Sequence, residues 1–298
     1  MSSQARPSIP GSTVSVDAVR RLLGCLVSCL VVAGVLVPAG SLGAASSALS
    51  CSTSAPRKAD GSLWRCTFDD EFNGSTVNRA AWTVQTTANG GFQAGTACAV
   101  DSAKTVSVSK GSLDLTVRRT APFVCTSSRR NFSTSYQGGS VYTRAFSQQY
   151  GRFDVRARFA DSNGHPGVQG ALWLYPRTLT PTGMLSTGEI DIAEAYGQRP
   201  DHVIPTVHAA VTLFGASKAC VVPDYGAAFH TYTTIWTPTS VTFVYDGSTC
   251  LRVTTPTGSL SGPTMVALTQ GTGSRRNAPS AATPMPATLQ VDYVRVWA

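Results

Sequence analysis

The strongest constraint on the fold is an alternation of apolar and polar side chains that recurs along much of the chain. The segment SLDLTVRR (112–119) has Leu, Leu and Val at every second position, and YGRFDVRARF (150–159) does the same with Phe, Val, Ala and Phe. This period is typical of strands with one buried and one solvated face. No segment keeps an apolar period of 3.6 residues, so long amphipathic helices are not expected. The sequence therefore predicts an all-β fold.

Turn signals separate the predicted strands. In TSVTFVYDGSTCLRVTT (239–255), Asp246-Gly247 lies between two β-rich runs, which predicts a hairpin. The closing segment ATLQVDYVRVW (287–297) is apolar on both faces, as in a central strand. Because many short strands follow one another without a change in composition, we expect one β-sandwich or barrel domain over residues 64–298.

The first 50 residues have a different character. Arg20 and Arg21 precede the apolar run LLGCLVSCLVVAGVLV, and small residues follow it, as in a secretory signal peptide. The alternative is an uncleaved signal anchor, but the run is shorter than the roughly 20 residues that span a bilayer. We predict a signal peptide over 1–50 and a polar leader over 51–63. The mature protein is expected to be secreted, with no membrane association once the signal is removed.

Six cysteines remain after residue 50, and an even number in an exported chain predicts disulfide bonds. Six cysteines allow roughly 15 connectivities. Nearest-neighbour pairing is expected because each pair flanks a loop or hairpin. No C-x-x-C spacing occurs, which argues against a zinc site. The expected pairs are Cys51–Cys66, Cys98–Cys125 and Cys220–Cys250.

The distribution of charge argues against a nucleic-acid partner. The formal net charge is +8, and residues 1–50 account for three arginines and one aspartate of it. The remaining basic residues are scattered singly or in pairs, without a basic stripe interleaved with aromatic residues.

The segment GEIDIAE (188–194) places three carboxylates in an otherwise small and apolar strand. Glu189 and Asp191 share one face of a strand, whereas Glu194 would point to the other face by simple alternation. A β-bulge absorbs one extra residue and resets the facing. With a bulge at Ala193, all three acids face one side and the isoleucines between them face the core.

Three like charges on one face repel one another, so at least one carboxyl pKa should be raised. Two glutamates flanking an aspartate can bring their carboxyl groups to the separation of about 5–5.5 Å that retaining glycosidases use. One would be the nucleophile and the other the proton donor, and the spacing does not assign which is which. The alternative is an acidic strand edge without a role. The apolar flanks, and a total of only 16 acids, favour catalysis.

The acidic segment EIDIAE resembles the E-x-D-x-x-E signature of glycoside hydrolase family 16, in its bulged, laminarinase-like form. Further segments resemble motifs of the same family, in the same order, from about residue 66 to residue 297. These are CTFDDEFNGSTVNRAAW (66–82), YGRFDVRARF (150–159), QGALWLYP (169–176), FHTYTTIWTPTSVTFVYDG (229–247) and VDYVRVW (291–297).

The resemblance implies a concanavalin-like jelly roll of two curved antiparallel sheets that cleaves β-glucosidic bonds with retention. It implies Glu189 as nucleophile, Asp191 as the assisting acid and Glu194 as acid/base. The expected partner is a polysaccharide of the β-glucan type, with β-1,3 or mixed β-1,3/1,4 bonds. No cofactor is expected for catalysis, and a monomer is expected. The alternatives are a transglycosylase with the same chemistry and a carbohydrate-binding jelly roll without catalysis.

One departure from the family pattern concerns the substrate. Laminarinase-like members have a Trp-Pro pair shortly before the catalytic strand, where this chain has TPTGMLSTG (180–188). We therefore expect a related or altered glycan rather than plain β-1,3-glucan.

Other residues are candidates for binding. Trp173 is either a sugar platform or part of the core, Tyr196 either lines the same face as Glu194 or packs inside, and His208 is either near the nucleophile or structural. Asp292 matches the position of an acid that holds a structural Ca²⁺ in family members, and a plain surface aspartate is the alternative. The substrate-binding candidates are Trp173, His208, Tyr196, Gln169 and Arg156.

Overall fold

The computed structural model describes residues 51, 54–177, 188–208, 216–256 and 260–298. The predicted signal peptide (1–50) lies outside the described residues, as does a small part of the predicted leader. The only helices among the described residues are α1 (Thr87–Gly90) and a 3-10 turn (Arg275–Asn277), so the all-β prediction is confirmed. The strands are β1 (Cys66–Asp70), β2 (Trp82–Val84), β3 (Gln93–Ala94), β4 (Ala97–Ala99), β5 (Val106–Ser109), β6 (Ser112–Cys125), β7 (Phe132–Thr143), β8 (Gly151–Arg158), β9 (Val168–Pro176), β10 (Glu189–Tyr196), β11 (His202–His208), β12 (Ala216–Ser217), β13 (Cys220–Val221), β14 (His230–Thr237), β15 (Ser240–Tyr245), β16 (Ser248–Thr254), β17 (Thr264–Thr272) and β18 (Ala287–Trp297).

The strands form two main antiparallel sheets, which we call the back sheet and the cleft sheet. The back sheet has the order β5, β6, β18, β8, β14, β15, β16, with β1 beside the second half of β18. The cleft sheet has the order β2, β7, β17, β9, β10, β11, with β12 and β13 at its edge. Two face-to-face sheets with long-range strand pairing form the jelly-roll architecture that the resemblance implied.

Strands β6 and β7 join the two sheets because each is longer than either sheet requires. The first part of β6 pairs with β5 and β18, and its last part pairs with the first part of β7. The last part of β7 then belongs to the cleft sheet, beside β2 and β17. The short strands β3 and β4 extend this junction, with β4 parallel to β7. The junction thus brings the loop at residue 92 close to the cleft sheet.

The alternation of strand β9 shows how the sequence builds the cleft sheet. Its buried positions are every second residue, including Leu172 and Leu174, which contact the core between the sheets. The intervening positions, Gln169, Trp173 and Tyr175 among them, are half-buried and point to the opposite face. The core side of both sheets is filled by aliphatic and aromatic side chains, with Trp82 and Trp236 among the largest.

Three disulfide bonds fasten the ends of loops and strands. They are Cys51–Cys66, Cys98–Cys125 and Cys220–Cys250, which are the pairs expected from the sequence. The first attaches the leader to β1, and the second joins β4 to the end of β6. No helix among the described residues is long and apolar enough to span a membrane.

Candidate active site

Strand β10 contains the three acids and a bulge. On the side of β9, Asp191 and Ala193 pair with two consecutive residues, so one residue of β10 has no partner there. On the side of β11, the stretch from Asp191 to Glu194 likewise contains one residue more than the stretch of β11 that it pairs with. A bulge therefore resets the alternation, as predicted. The residue without a partner on β9 is Ile192 rather than Ala193, and both are buried in the core.

Two contacts fix the shape of the bulged strand. The hydroxyl of Tyr245, on β15 of the back sheet, donates a hydrogen bond of 2.6 Å to the carbonyl of Ile192 in the bulge. This bond satisfies a buried carbonyl at the irregular point of the ladder. At the start of β10, Gly188 has φ +73°, and a Cβ there would lie 2.2 Å from Leu260 Cδ2. Glycine is therefore required where the chain enters the strand.

The bulge places all three acids at one hollow on the outer face of the cleft sheet, where Glu189, Asp191 and Glu194 are lining residues. Glu194 Oε1 accepts hydrogen bonds from Gln169 Nε2 (2.8 Å) and from the Tyr196 hydroxyl (2.9 Å). Because both donors bind the same oxygen, the other oxygen of Glu194 is the one left for a ligand.

Asp191 lies between Glu189 and His208. It is only 4% exposed, and its Oδ2 lies 2.9 Å from His208 Nε2. One ligand atom from each of these three residues lies within 4.8 Å of the others. Asp191 therefore lies close to both a second carboxyl group and the imidazole that faces it.

The surroundings raise the pKa of both glutamates. Burial and the negative charge of Asp191 raise the pKa of Glu189 to about 8, and the hydrogen bond with Asp191 acts in the same direction. Burial and the charge of Asp191 raise the pKa of Glu194 to about 7, although the bonds from Tyr196 and Gln169 oppose the shift. A carboxyl group with a pKa near neutrality is suited to donate and accept a proton in one reaction cycle.

His208 is the basic side chain that contacts these acids in the described structure. The hydrogen bond to Asp191 raises the pKa of His208, and the charges of the three acids add to the effect. The charge of His208 lowers the pKa of Glu189 and of Glu194 in return. The imidazolium therefore partly balances three carboxyl groups that have no arginine or lysine partner in the described structure.

An aromatic wall borders the acids. Trp173 stacks on Phe92 with ring centroids 6.1 Å apart and meets Tyr175 edge-on at 5.1 Å. The indole Nε1 donates to Thr269 Oγ1 at 3.2 Å, so the ring orientation is fixed. Aromatic rings beside carboxyl groups suit a sugar, which offers apolar faces for stacking and hydroxyls for hydrogen bonds.

The family comparison decides the identity of this fold and site. The model of glycosyl hydrolases family 16 matches residues 94–293. The chain belongs to this family. The resemblance drawn from the sequence motifs is thereby confirmed.

Individual relatives share the fold and part of the sequence. Glucan endo-1,3-beta-glucosidase A1 of Niallia circulans is 28% identical over 265 residues, which are 77% of this chain but 37% of that protein. The beta-glucanase of Rhodothermus marinus is 31% identical over 185 residues, covering 54% of this chain and 62% of that protein. The endo-beta-1,3-glucanase structure from Pyrococcus furiosus superposes with a TM-score of 0.71 at 24% identity, covering 83% of this chain and 98% of that one.

The structure brings most of the predicted binding residues to the cleft. Trp173 and Gln169 line the hollow, and Tyr196 and His208 bind Glu194 and Asp191 directly. Trp173 therefore lies on the cleft face of β9 and not in the core between the sheets, and its role as a sugar platform stays a prediction.

Arg156 is not brought to the site. It lies on β8 of the back sheet, where its neighbours Val155 and Ala157 face the core and its own side chain faces away from it. Arg156 Nη1 bonds Asp292 Oδ2 at 2.6 Å, and its guanidinium lies over the Phe229 ring. The alternation of the strand was predicted correctly, but this face of the back sheet is separated from the cleft by the core.

Asp292 is paired with an arginine, and the calcium site expected there stays a prediction. Its carboxylate is bound to the Arg156 guanidinium, and no group of three candidate metal ligands among the described residues includes it. Calcium takes six to eight oxygen ligands, and a carboxylate already neutralised by arginine is a poor one. Of the two groups of three that do occur, one contains the disulfide-bonded Cys51 and Cys66, and the other is Glu189, Asp191 and His208.

Several residues of the cleft were not found from the sequence. Tyr175 follows Trp173 by two positions on β9, so the alternation of this strand was a sufficient signal for it. Phe92 comes from the loop before β3, Gln93 from β3 itself, and Thr269 from β17. No local pattern links these residues to the acidic strand, because they reach it through strand pairing distant in sequence.

Proposed function

We propose that this chain is a retaining glycoside hydrolase that cleaves internal β-1,3 or mixed β-1,3/1,4 bonds of a β-glucan-like polysaccharide. The observation that supports the proposal most strongly is the bulge of β10, since it directs Glu189, Asp191 and Glu194 to one hollow. The names of the relatives as endo-1,3-beta-glucanases and beta-glucanases support the substrate class.

In the first step, Glu194 gives its proton to the glycosidic oxygen while the bond between that oxygen and the anomeric carbon breaks. A carboxylate oxygen of Glu189 attacks the same carbon and forms a glycosyl ester. The two donors on Glu194 Oε1 leave its other oxygen to hold the transferred proton. A pKa of about 7 keeps much of Glu194 protonated near neutral pH.

Glu189 must be ionised in order to attack. We infer that Asp191, which has a carboxylate oxygen within 4.8 Å of one of Glu189, holds the nucleophile in position for attack. The charge of His208 favours the ionised form of Glu189. In the second step, Glu194 takes a proton from water, whose oxygen attacks the anomeric carbon and releases Glu189. The product then has the configuration of the substrate.

The cellular context is part of the proposal. Three disulfide bonds are typical of proteins that fold outside the reducing cytosol. We infer that residues 1–50 are a signal peptide, that residues 64–298 are the catalytic domain, and that the mature protein acts outside the cell as a monomer without a cofactor.

The test is hydrolysis of laminarin and lichenan by the wild type and by Glu189→Gln and Glu194→Gln. We expect each variant to lose at least about a thousandfold in kcat while keeping its fold. Glu71 is the third glutamate of the chain and pairs with Arg295, so Glu71→Gln is the matched control and should keep its rate.

The stereochemistry is tested separately by NMR during early hydrolysis. We expect the β anomer as first product. An α anomer would refute double displacement, and transfer of the glycosyl group to added oligosaccharide in preference to water would indicate the transglycosylase.

A further inference from the structure

The cleft continues beyond the three acids as a groove. The hollow at the acids adjoins a second one, since Phe92, Trp173 and Glu189 line both. The second adjoins a third, since Tyr142 and Met265 line both. We call the second and third hollows together the arginine end of the cleft.

Three arginines line this end. Arg129 lies at the second hollow, and Arg144 and Arg177 lie at the third. The Arg129 side chain passes over Gly91, where a Cβ would lie 2.6 Å from its Cγ. Burial raises the pKa of Tyr175, the charge of Glu189 adds to the shift and that of Arg129 opposes it, so the guanidinium acts across the aromatic wall.

The charges of these arginines are not neutralised by acids in the described structure. Arg177 donates to the carbonyls of Thr143 (3.3 Å) and Arg144, and Arg144 Nη1 donates to the carbonyl of Arg79 at 3.5 Å. None of the three forms an ion pair among the described residues, whereas four other arginines do. The segments 178–187, 209–215 and 257–259 contain no Asp or Glu.

Among the described residues, the first hollow has no basic side chain in its lining. Besides the acids, its polar side chains include those of Gln169 and Thr272. An anionic ligand group would be repelled there by Asp191 and Glu194, which line only the first hollow, and attracted by the arginines at the arginine end. The cleft therefore has acids at the first hollow and arginines at the arginine end.

We propose that the natural substrate is a β-glycan with anionic substituents, sulfate esters or carboxylates, on the sugars bound at the arginine end. The proposal rests on the proposed function of the same cleft and specifies its substrate class. The planar guanidinium binds such oxyanions through paired, charge-assisted hydrogen bonds, which are stronger than its single bonds to the hydroxyls of a neutral sugar. This substrate class also fits the absence from the sequence of the Trp-Pro pair expected for plain β-1,3-glucan.

The experiment compares neutral polysaccharides with their charged derivatives. Laminarin, lichenan and agarose are each used unmodified, partly sulfated and partly carboxymethylated, at about 0.15 M salt so that non-specific attraction is screened. The enzymes are the wild type, Arg129→Gln, Arg177→Gln and the double variant. Arg130→Gln is the matched control, because Arg130 is an exposed neighbour of Arg129 that lines none of the three hollows.

On one backbone we expect kcat/KM to be about tenfold higher for an anionic derivative than for the neutral parent. Each single variant should lower this ratio by about threefold and the double variant should abolish it, while Arg130→Gln leaves it unchanged. A preference for the sulfated or for the carboxymethylated form identifies the substituent. Equal rates on neutral and charged forms, or a preference that survives in the double variant, would overturn the proposal.

Binding is measured in parallel by electrophoresis through gels that contain each polysaccharide, because this readout does not need catalysis. One outcome would be that no polysaccharide is hydrolysed but that a charged one retards the wild type and Arg130→Gln more than the double variant. The proposed hydrolase activity would then be refuted, whereas the anionic-ligand site would be supported. If the double variant is retarded equally, the site is refuted as well.

Discussion

Asp154 in the back sheet and Asp191 in the cleft sheet are almost equally buried, at 5% and 4% exposure, but their surroundings are opposite. Asp154 accepts hydrogen bonds from Arg152 (2.8 Å), Thr233 (2.6 Å) and Trp297 (3.1 Å). Its charge is thus paired with a permanent cation and fully hydrogen-bonded.

Asp191 has no such partner among the described residues. It lies between another carboxyl group and a titratable histidine, and its charge raises the pKa of both Glu189 and Glu194. Burial therefore does not distinguish structural from functional acids in this fold, whereas the sign of the neighbouring charges does. An acid placed among other acids lowers stability, and it is retained where it raises the proton affinity of a catalytic group.

Of the variants that test this contrast between the two sheets, Asp191→Asn should have the largest effect on activity. Asparagine removes the carboxyl group beside Glu189, and loss of its negative charge lowers the pKa of both glutamates. We expect kcat to fall by about a hundredfold or more, and the alkaline limb of the pH–rate profile to move to lower pH. Steady-state hydrolysis across pH measures both, and an unchanged alkaline limb would contradict the assigned electrostatic role.

Asp154→Asn is the counterpart in the back sheet. Removing one member of a buried pair leaves the Arg152 guanidinium without its anion, so the free energy of unfolding should fall by about 3 kcal/mol. The rate per folded molecule should remain within about twofold of wild type, since Asp154 is separated from the cleft by the core. Urea denaturation and active-site titration measure the two quantities. A strong loss of activity in the folded variant would contradict the purely structural role assigned to Asp154.

Glu194→Gln should increase stability at high pH. The folded-state pKa of Glu194 is about 7 against an ordinary value of 4.5, so between these pH values the folded state holds a proton that the unfolded state has lost. Stability therefore falls as pH rises through this window. The variant lacks this loss and should gain about 1–3 kcal/mol over wild type at pH 8 but little at pH 4. Denaturation at both pH values tests the sign.

Tyr245→Phe tests whether the bulge depends on the back sheet. The carbonyl of Ile192 loses its buried donor, which should lower stability by about 1–2 kcal/mol and reduce kcat several-fold by loosening the position of Glu194. Tyr232→Phe is the control, because the Tyr232 hydroxyl is buried without a hydrogen-bond partner in the described structure. Equal losses in both variants would show that the Tyr245 hydroxyl has no special role.

The smallest effect is expected for His208→Gln. His208 lowers the pKa of both glutamates, so its removal should move both limbs of the pH–rate profile to higher pH. The side chain is half exposed, and solvent screening should limit the shift to about half a pH unit. A shift to lower pH would show that His208 is not a cation in the active enzyme.

The sequence by itself determined which side chains share a face of a strand. Alternation predicted the faces of β6 and β8, and the extra residue in EIDIAE predicted the bulge, because a pleated strand has a fixed period of two. The composition and order of the motifs were sufficient for the family and the all-β fold. The nearest-neighbour cysteine pairs were expected on the same local grounds.

Only the tertiary structure decided which of these faces meet in one cleft. The alternation of β8 was predicted correctly, but Arg156 lies in the back sheet and does not reach the cleft. Phe92 and Arg129 line the cleft from loops, where the sequence has no periodic pattern. The pairing of β9 with β17 joins residues about a hundred positions apart, and the bulge is held by a tyrosine of the opposite sheet. Local period fixes a strand's two faces, whereas the strand's neighbours depend on burial summed over the whole chain.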